Sequence, residues 1–384
     1  MGAGITPGEC SEQDTVNISQ EEVSEMLYTP AEIVIVTIII PIIWCLGVIN
    51  NLTFLFVMLR VPKLRTDTNL YLAHMVLADL LFLNLASVIH IWGYSASLVA
   101  IHDPFVNSAY CIGTCIAYKT VYYVSIALVT TVSFERYLAL CHPIKHRTIR
   151  GRRRTYRMIA ICWIVGLLVS IATMPALAKL RVLCLNWPDD EAYRDYPSTK
   201  GYCSPLAPWV DYYILPLLSI PWLISMVANI YLYVQILKTL NKRSGRDGIV
   251  SNAPNAIQIR NQVAKMLIVD GVVFFLCQTP YQIFNLAEWI SNLGKIPNPL
   301  VAGIGRGDLW ISVIPQYINA MINPLIYAAM TATYRAALTV TFSCKKHPQQ
   351  QATSALAIIT PDQGNATTAT SVTDENAETC ETRL

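Results

Sequence analysis

The sequence predicts an all-α membrane protein: a bundle of seven transmembrane helices followed by a short amphipathic eighth helix. Three observations predict this fold class. Of the 384 residues, 54% are hydrophobic and only 14% are charged, whereas a soluble globular protein carries about 25% charged residues. Apolar runs long enough to cross a bilayer recur seven times along the chain. Basic residues are concentrated in alternate loops between these runs.

Each predicted span is long enough for a helix that crosses about 30 Å of hydrocarbon. The spans cover residues 33–59, 69–99, 109–140, 157–178, 209–240, 262–290 and 301–330. The stretch Thr331–Cys344 is too short and too polar to cross, and it places Tyr334, Leu338 and Phe342 on one helical face. It is therefore predicted to lie on the inner membrane surface, against lipid.

The distribution of basic residues predicts the orientation. Loops placed inside hold 18 Lys and Arg residues, and outer segments hold six. This bias puts the N-terminus outside and the C-terminus inside a multi-pass plasma-membrane protein. The basic run 151–157 is explained by the same bias, so we expect no nucleic-acid partner. Asn17-Ile18-Ser19 is then a glycosylation site, whereas Asn365-Ala366-Thr367 is cytoplasmic and unused.

The chain accordingly divides into an extracellular N-terminal tail (1–32), a seven-transmembrane domain (33–330), the amphipathic helix (331–344) and a cytoplasmic tail (345–384). The last segment is rich in Thr, Ala, Gln and Asn, which predicts disorder.

Polar or helix-breaking residues recur within the predicted spans, where such residues are costly and mark functional sites. In chain order these motifs are Gly47 and Asn51, Leu77-Ala78-Asp79, Cys111, Glu135-Arg136-Tyr137, Trp163, Pro280 and Asn323-Pro324-Leu325-Ile326-Tyr327. With these motifs in this order, the chain resembles the rhodopsin-like (class A) G-protein-coupled receptors over about residues 33–344. The resemblance implies a receptor, not an enzyme, that signals through a heterotrimeric G protein, with arrestin and receptor kinases as further partners.

The resemblance also implies the residues of an inner switch. They are Glu135, Arg136, Tyr137, Asn323, Pro324 and Tyr327. Arg136 is expected to pair with Glu135 at rest and to meet the G protein on activation. Pro324 removes a helical hydrogen bond, which lets Tyr327 rotate inward. Relatives often add an acid at the foot of span 6, where this chain has Arg260, so we expect some signalling without ligand.

Asp79 is implied to bind a sodium ion together with Ser125, Asn319 and Asn323, and we expect no other cofactor. The alternative is a neutral Asp79 that only joins helices by hydrogen bonds. A second buried acid, Asp270, lies about 15 Å below Pro280. The sequence leaves open whether Asp270 is protonated or faces the inner cavity.

The residues expected to transmit ligand contact to the sodium site and the inner switch depart from the family pattern. Relatives commonly have Trp where this chain has Gln278, so Gln278 is expected to relay ligand contact by hydrogen bonds. Ile126 and Phe274 match the family's packing residues, with Pro221 as the proline of the set. Tyr231 and Tyr233 leave the register of span 5 open, and His74 is expected to bond Trp163.

The predicted ligand site combines rings, amides and one cation. Its residues are Tyr118, Lys119, Tyr122, Gln278, Tyr281, Gln282, Asn285 and Gln316. An amine receptor would have Asp in place of Tyr118, and an opsin would have Lys in the middle of span 7. Amides suit a peptide backbone or an amidated terminus. Lys119 either meets a ligand carboxylate or carbonyl, or packs its stem in the wall with the ammonium reaching water.

The local sequences at residues 65–72, 135–145 and 262–267 resemble those of neuropeptide receptors. The nearest groups are the thyrotropin-releasing-hormone, neuromedin U and growth-hormone-secretagogue receptors. This implies an extracellular peptide ligand and Gq coupling. The alternative is a small-molecule or lipid ligand, and a more distant one is a transporter or channel.

The resemblance implies a disulfide between Cys111 and the second outer loop. Cys203 is the chosen partner, with Cys184 as the alternative, and a left-over Cys184 could pair with Cys10. Cys344 is placed for palmitoylation, and Thr382-Arg383-Leu384 fits a C-terminal PDZ ligand.

Overall fold

The computed structural model describes residues 12–244, 254–304 and 306–343. Predictions on Cys10, Cys344 and Thr382–Leu384 therefore lie outside the described residues. Seven long helices pack side by side within the described ranges. Span 1 comprises Pro30–Val34, a π-helical turn Ile35–Ile39 and Ile40–Arg60; the others are span 2 (Asp67–Ala96), span 3 (Ser108–Cys141), span 4 (Arg152–Thr173), span 5 (Val210–Ser244), span 6 (Pro254–Gly294) and span 7 (Gly307–Met330).

Shorter helices connect these spans. Pro143–Ile149 lies in the second inner loop, and Pro299–Ile304 precedes span 7. Ala332–Phe342 is the predicted eighth helix, but its Tyr334 is buried against Phe54 of span 1 and does not face lipid as predicted. Val23–Met26 precedes span 1, and single 3₁₀ turns cover Glu12–Asp14, Pro62–Leu64, Met174–Leu177 and Glu191–Tyr193.

The first six spans are long and apolar enough to cross a membrane by length and composition, among the described residues. Span 7, with 24 residues, is more polar because Gln316, Asn319 and Asn323 point inward and are buried. The seven-helix fold class predicted from the sequence is confirmed. Span 7 is the seventh helix of the bundle, and its polar side chains form part of the bundle interior.

Local sequence explains where several spans begin. The Thr29 hydroxyl oxygen accepts a hydrogen bond from the Glu32 amide, and the Glu32 carboxylate accepts one from the Thr29 amide, which makes a capping box before span 1. Thr66 caps span 2, and Asn107 caps span 3 by accepting from the Ala109 amide. Proline also lies in the first turn of the helix Pro30–Val34.

The bundle is apolar outside and polar inside. Side chains such as Ile42, Ile49 and Leu168 are exposed, as expected for a surface that contacts lipid, whereas Asn51 and Asp79 are buried. Small residues allow close helix packing, which drives association in lipid. A Cβ added at Gly166 of span 4 would lie 2.6 Å from the Val124 side chain of span 3.

A three-stranded sheet covers the outer end of the bundle. Its strands are β1 (Thr15–Asn17), β2 (Lys179–Asn186) and β3 (Thr199–Ser204). β2 and β3 are antiparallel, with Leu180 opposite Cys203, and β1 pairs with β2 in parallel, with Thr15 opposite Cys184. The segment 12–32, predicted as a tail, thus contributes a strand to the outer surface.

The sheet is fastened to span 3 by the disulfide Cys111–Cys203, with Cα atoms 5.7 Å apart. Cys184, the alternative partner, is itself disulfide-bonded, and the predicted pairing with Cys10 falls outside the described residues. Beneath the sheet, Ile18, Val99 and Leu185 form a buried apolar cluster.

The loop between spans 2 and 3 adds polar contacts to β3. The Asp103 carboxylate accepts from the Cys203 amide at 2.8 Å, and His102 Nδ1 accepts from the Gly201 amide at 3.1 Å. Burial raises the pKa of Asp103 and lowers the pKa of His102. A neutral His102 is the form that can accept this hydrogen bond.

Arg306, just before span 7, fastens the N-terminal segment to the bundle. Its guanidinium donates to the Leu27 carbonyl at 2.6 Å, to the Glu25 carbonyl, and to the Glu32 carboxylate at 3.1 Å. Buried Glu32 also accepts from Trp310 Nε1 at 3.4 Å. We name Arg306, Glu32 and Trp310 the outer clamp.

Candidate functional site

The residues predicted to bind ligand come together in the outer half of the bundle. Three hydrogen bonds join spans 3, 6 and 7. Tyr118 donates to Gln316 Oε1 at 3.3 Å, Gln282 Nε2 donates to the Tyr122 hydroxyl, and Lys119 Nζ donates to the Tyr281 hydroxyl at 2.6 Å. Asn285 lies one turn above Tyr281, on the same face of span 6. We name these residues and Gln278 the outer pocket.

The outer pocket keeps unused hydrogen-bonding capacity. Gln278, Gln282 and Gln316 are buried. Gln278 Oε1, Gln282 Oε1 and Gln316 Nε2 have no protein partner. A buried polar atom without a partner costs about 1–3 kcal/mol, so these amides are suited to bind a polar ligand or water.

Lys119 ends within the outer pocket. Its Nζ lies 5.1 Å from the centroid of the Tyr281 ring and 5.7 Å from that of Tyr118. These distances are those of cation–π contacts. The ammonium therefore lies beside two aromatic rings and donates a short hydrogen bond to Tyr281.

A small cavity of about 20 Å³ lies below the outer pocket, lined by Asp79, Ser125 and Asn319 together with Gln278 and Gln316. Asn323, also predicted for the sodium site, donates to the Asp79 carboxylate at 2.7 Å. The cavity has room for about one water molecule. Gln278 lines this cavity together with Tyr122 and Gln316 of the outer pocket, so it is positioned to connect ligand contact with Asp79.

Span 5 places Tyr233 inside the bundle, and Tyr231 is exposed. The Tyr233 hydroxyl accepts from Ser133 at 3.0 Å and lies against span 6, where a Cβ added at Gly271 would be 1.8 Å from its oxygen. This contact settles the register that the sequence left open.

The predicted relay residues Ile126 and Phe274 also lie in the core, whereas Pro221 is only half-buried. Ile126 and Phe274 share the main apolar cluster with Trp222, the neighbour of Pro221. Trp163 donates to His74 at 3.3 Å, as the sequence predicts.

At the inner end of span 3, Glu135 has a partner that the sequence did not predict. Both carboxylate oxygens accept from the Arg154 guanidinium, at 2.5 Å and 3.1 Å. His146 lies 3.8 Å from the same carboxylate. Arg154 belongs to the basic run 151–157, which the sequence explained by membrane orientation alone. Its bidentate geometry is the strong form of a charged pair.

The inner end opens into a cavity of about 520 Å³. Its walls include Glu135, Arg136 and Tyr327. Tyr137 lies beside this region, with its hydroxyl 3.0 Å from His142 Nε2. Arg260 is part of span 6, but its side chain lies outside the described set, so the predicted lack of an acidic partner there remains a prediction.

Asp270 faces inward and contacts span 7. Its carboxylate is buried and accepts a long hydrogen bond of 3.5 Å from the Tyr327 hydroxyl. On its other side the Tyr327 ring packs against Phe54 of span 1 at 5.3 Å. Asp270 thus holds Tyr327 between spans 1 and 6, next to the Pro324 bend.

We expect Asp270→Val to raise ligand-free signalling about two- to tenfold, because it removes the acceptor that joins span 6 to Tyr327; a net hydrogen bond is worth about 0.5–1.5 kcal/mol. Asp270→Asn keeps an acceptor oxygen and should stay near the wild-type level. The measurement is G-protein activation without ligand at matched surface expression. Equal basal activity of the Val and Asn variants would contradict the role.

The chain belongs to the rhodopsin family of seven-transmembrane receptors, whose family model matches residues 50–327. It is therefore a multi-pass membrane receptor, not an enzyme. The transporter or channel alternative is thereby excluded.

Known proteins similar to this chain include three receptors of Mus musculus. Neuromedin-U receptor 2 is 26% identical, with 82% of this chain and 78% of the relative covered. Thyrotropin-releasing hormone receptor is 27% identical, covering 89% and 88%. Somatostatin receptor type 2 is 27% identical, covering 81% and 78%. These relatives are class A peptide receptors, which confirms the resemblance predicted from the sequence motifs.

Proposed function

We propose that this receptor is activated by an extracellular peptide and signals through a heterotrimeric G protein, with Gq preferred. The observation that carries the proposal is the outer pocket, where rings alternate with buried amides that have unused donors and acceptors. Peptide bonds offer both donors and acceptors, and such a pocket binds them well. The neuromedin-U, thyrotropin-releasing hormone and somatostatin receptors among its relatives support the same ligand class.

Activation in this proposal begins at Gln278. A peptide that engages the unpaired oxygen of Gln278 shifts hydrogen bonds in the cavity it shares with Asp79. Asn323 bonds Asp79 and lies one turn above Tyr327 in span 7, so a change there reaches the inner end. The ligand shifts the equilibrium because it binds the active arrangement better. Glu135, Arg136 and Tyr137 then act at the G-protein surface.

The residues around Asp79 fit a sodium ion. Asn319 Oδ1 and Asn323 Oδ1 are buried without a protein partner, next to the Asp79 carboxylate. Oxygen atoms are the ligands that hard cations prefer. When bound, the ion would neutralise Asp79 and hold spans 2, 3 and 7 through Asp79, Ser125, Asn319 and Asn323.

The deciding experiment is a G-protein activation assay in cells that express the receptor, with separate Gq, Gi and Gs reporters. The probes are a lipid library and a peptide library in which every peptide is supplied with an amidated and with a free C-terminus. We expect responses to peptides, strongest with the Gq reporter. Responses to lipids with silence to every peptide would contradict the peptide ligand, and a dominant Gi or Gs response would contradict the Gq preference.

We place the receptor in the plasma membrane with its N-terminus outside, where Asn17 is expected to be glycosylated. Asn17 is exposed at the end of β1, and its Oδ1 accepts from Asn186 at 2.9 Å. Asn17→Gln should abolish the electrophoretic shift that an N-glycan-removing enzyme produces on receptor from cell membranes. Asn365→Gln is the matched control. A shift that survives Asn17→Gln would contradict both the site and the orientation.

Arrestin and receptor kinases are proposed as cytoplasmic partners on the strength of family membership. A PDZ protein at Thr382–Leu384 and palmitoylation of Cys344 are proposed from the sequence alone.

A further inference from the structure

Lys119 places a positive charge in the middle of the outer pocket. One of the three donors of its ammonium is used by the Tyr281 hydroxyl at 2.6 Å. Two donors remain for other acceptors. Lys119 is half-buried on span 3, and the Tyr118 and Tyr281 rings flank it.

This cation has no acidic partner in the part of the chain that the structure describes. The ion pairs found there are His146–Glu135, Arg150–Asp67, Arg154–Glu135 and Arg306–Glu32. A half-buried ammonium has lost part of its hydration, and this loss is costly unless an opposite charge compensates it. Tyrosine rings and one hydroxyl compensate it only in part. The arrangement is therefore incomplete until a negative group arrives.

The side-chain amides around Lys119 limit the chemical class of ligand that fits the outer pocket. Gln282 Oε1 and Gln316 Nε2 are a buried acceptor and a buried donor without protein partners. A simple fatty acid would bring a carboxylate but leave both amides unsatisfied. A peptide brings a carboxylate together with backbone N–H and C=O groups that match them.

We infer that the ligand presents a carboxylate to Lys119, from a free C-terminus or from an Asp or Glu side chain. The carboxylate accepts from the Lys119 ammonium, and the Tyr281 hydroxyl donates to its second oxygen. This inference rests on the proposed peptide receptor and names the chemistry by which it selects its ligand. Lys119 is thus the residue that determines specificity.

The test is a calcium and cAMP screen of the wild-type receptor with matched pairs of compounds. Each peptide is supplied with its carboxylates free and with them neutralised as amides, Asn or Gln. Free carboxylic acids without peptide bonds are supplied with their methyl esters. Agonists are then tested on Lys119→Met, on Lys119→Arg and on Lys295→Met, the last removing an exposed lysine from the outer surface. Surface expression is measured for every variant.

We expect the acid form of the active peptide to be at least about 30-fold more potent than its neutral form, as for other desolvated charge pairs. Lys119→Met should remove this preference, while Lys119→Arg keeps it in part and Lys295→Met keeps it fully. Equal potency of acid and neutral forms on the wild type overturns the inference and leaves the peptide receptor intact. Activation by carboxylic acids alone, lost in their esters, upholds the carboxylate at Lys119 and overturns the peptide ligand. If no compound that carries a carboxylate activates the wild-type receptor, the inference is overturned.

Discussion

Arg306→Ala is expected to lower the melting temperature of the purified receptor by about 5 °C or more and to loosen residues 12–28. The substitution leaves the buried Glu32 carboxylate without its cation, and it removes the donor to the Glu25 and Leu27 carbonyls. Breaking a buried pair costs about 3–5 kcal/mol. The Arg306 side chain is 25% exposed, so we expect the lower end of that range.

Thermal unfolding in detergent and hydrogen–deuterium exchange of the N-terminal segment measure this effect. Arg181→Ala is the matched control, because Arg181 is an exposed arginine on β2 of the same outer surface. Faster exchange confined to residues 12–28 identifies release of the outer clamp. If both the melting temperature and the exchange rate are unchanged, the outer clamp does not stabilise the N-terminal segment.

Arg154→Met is expected to weaken G-protein activation about tenfold. Arg154 now occupies both oxygens of the Glu135 carboxylate. Without Arg154, the Glu135 carboxylate loses its bidentate partner, so more of its negative charge acts on the adjacent Arg136 and offsets the positive charge proposed to meet the G protein. The inner cavity, whose walls include Arg136 and Glu135, would then present less positive charge to the partner.

The double variant Glu135→Gln/Arg154→Met separates this mechanism from simple damage. Removing the carboxylate as well should restore activation toward the level of Glu135→Gln alone, which is the signature of a coupled pair. Arg153→Met, which removes an exposed neighbour, is the control. Equal loss in the single and double variants would contradict competition for Glu135.

The transmembrane part could be predicted from the sequence because a helix that crosses lipid must be both long and apolar. Apolar length marked all seven spans, and Asn323-Pro324 with Tyr327 linked the seventh, more polar span to the family pattern. Lys119, Tyr281, Gln282 and Gln316 were also predicted together, since each falls in the outer half of its span. Asp270 was noticed as a costly residue, but its partner Tyr327 emerged only from the packing of spans 6 and 7.

Contacts between distant charged groups could not be predicted. Arg154 lies in a run of arginines, and membrane orientation alone explained the whole run, so no signal singled out one guanidinium. Arg306 was counted only as an outer basic residue. β1 is three residues long and lacks a clear alternating pattern, and its pairing with β2 depends on the completed bundle.

The parallel pairing of β1 with β2 has a consequence for how the protein is made. Thr15 emerges from the ribosome early, whereas its partner Cys184 follows span 4. The outer sheet can therefore close only after four spans have entered the membrane, and the clamp at Arg306 forms later still, when span 7 arrives. Until then the acidic N-terminal segment lacks these partners, so the end of the bundle that carries the sheet is completed among the last steps of biogenesis.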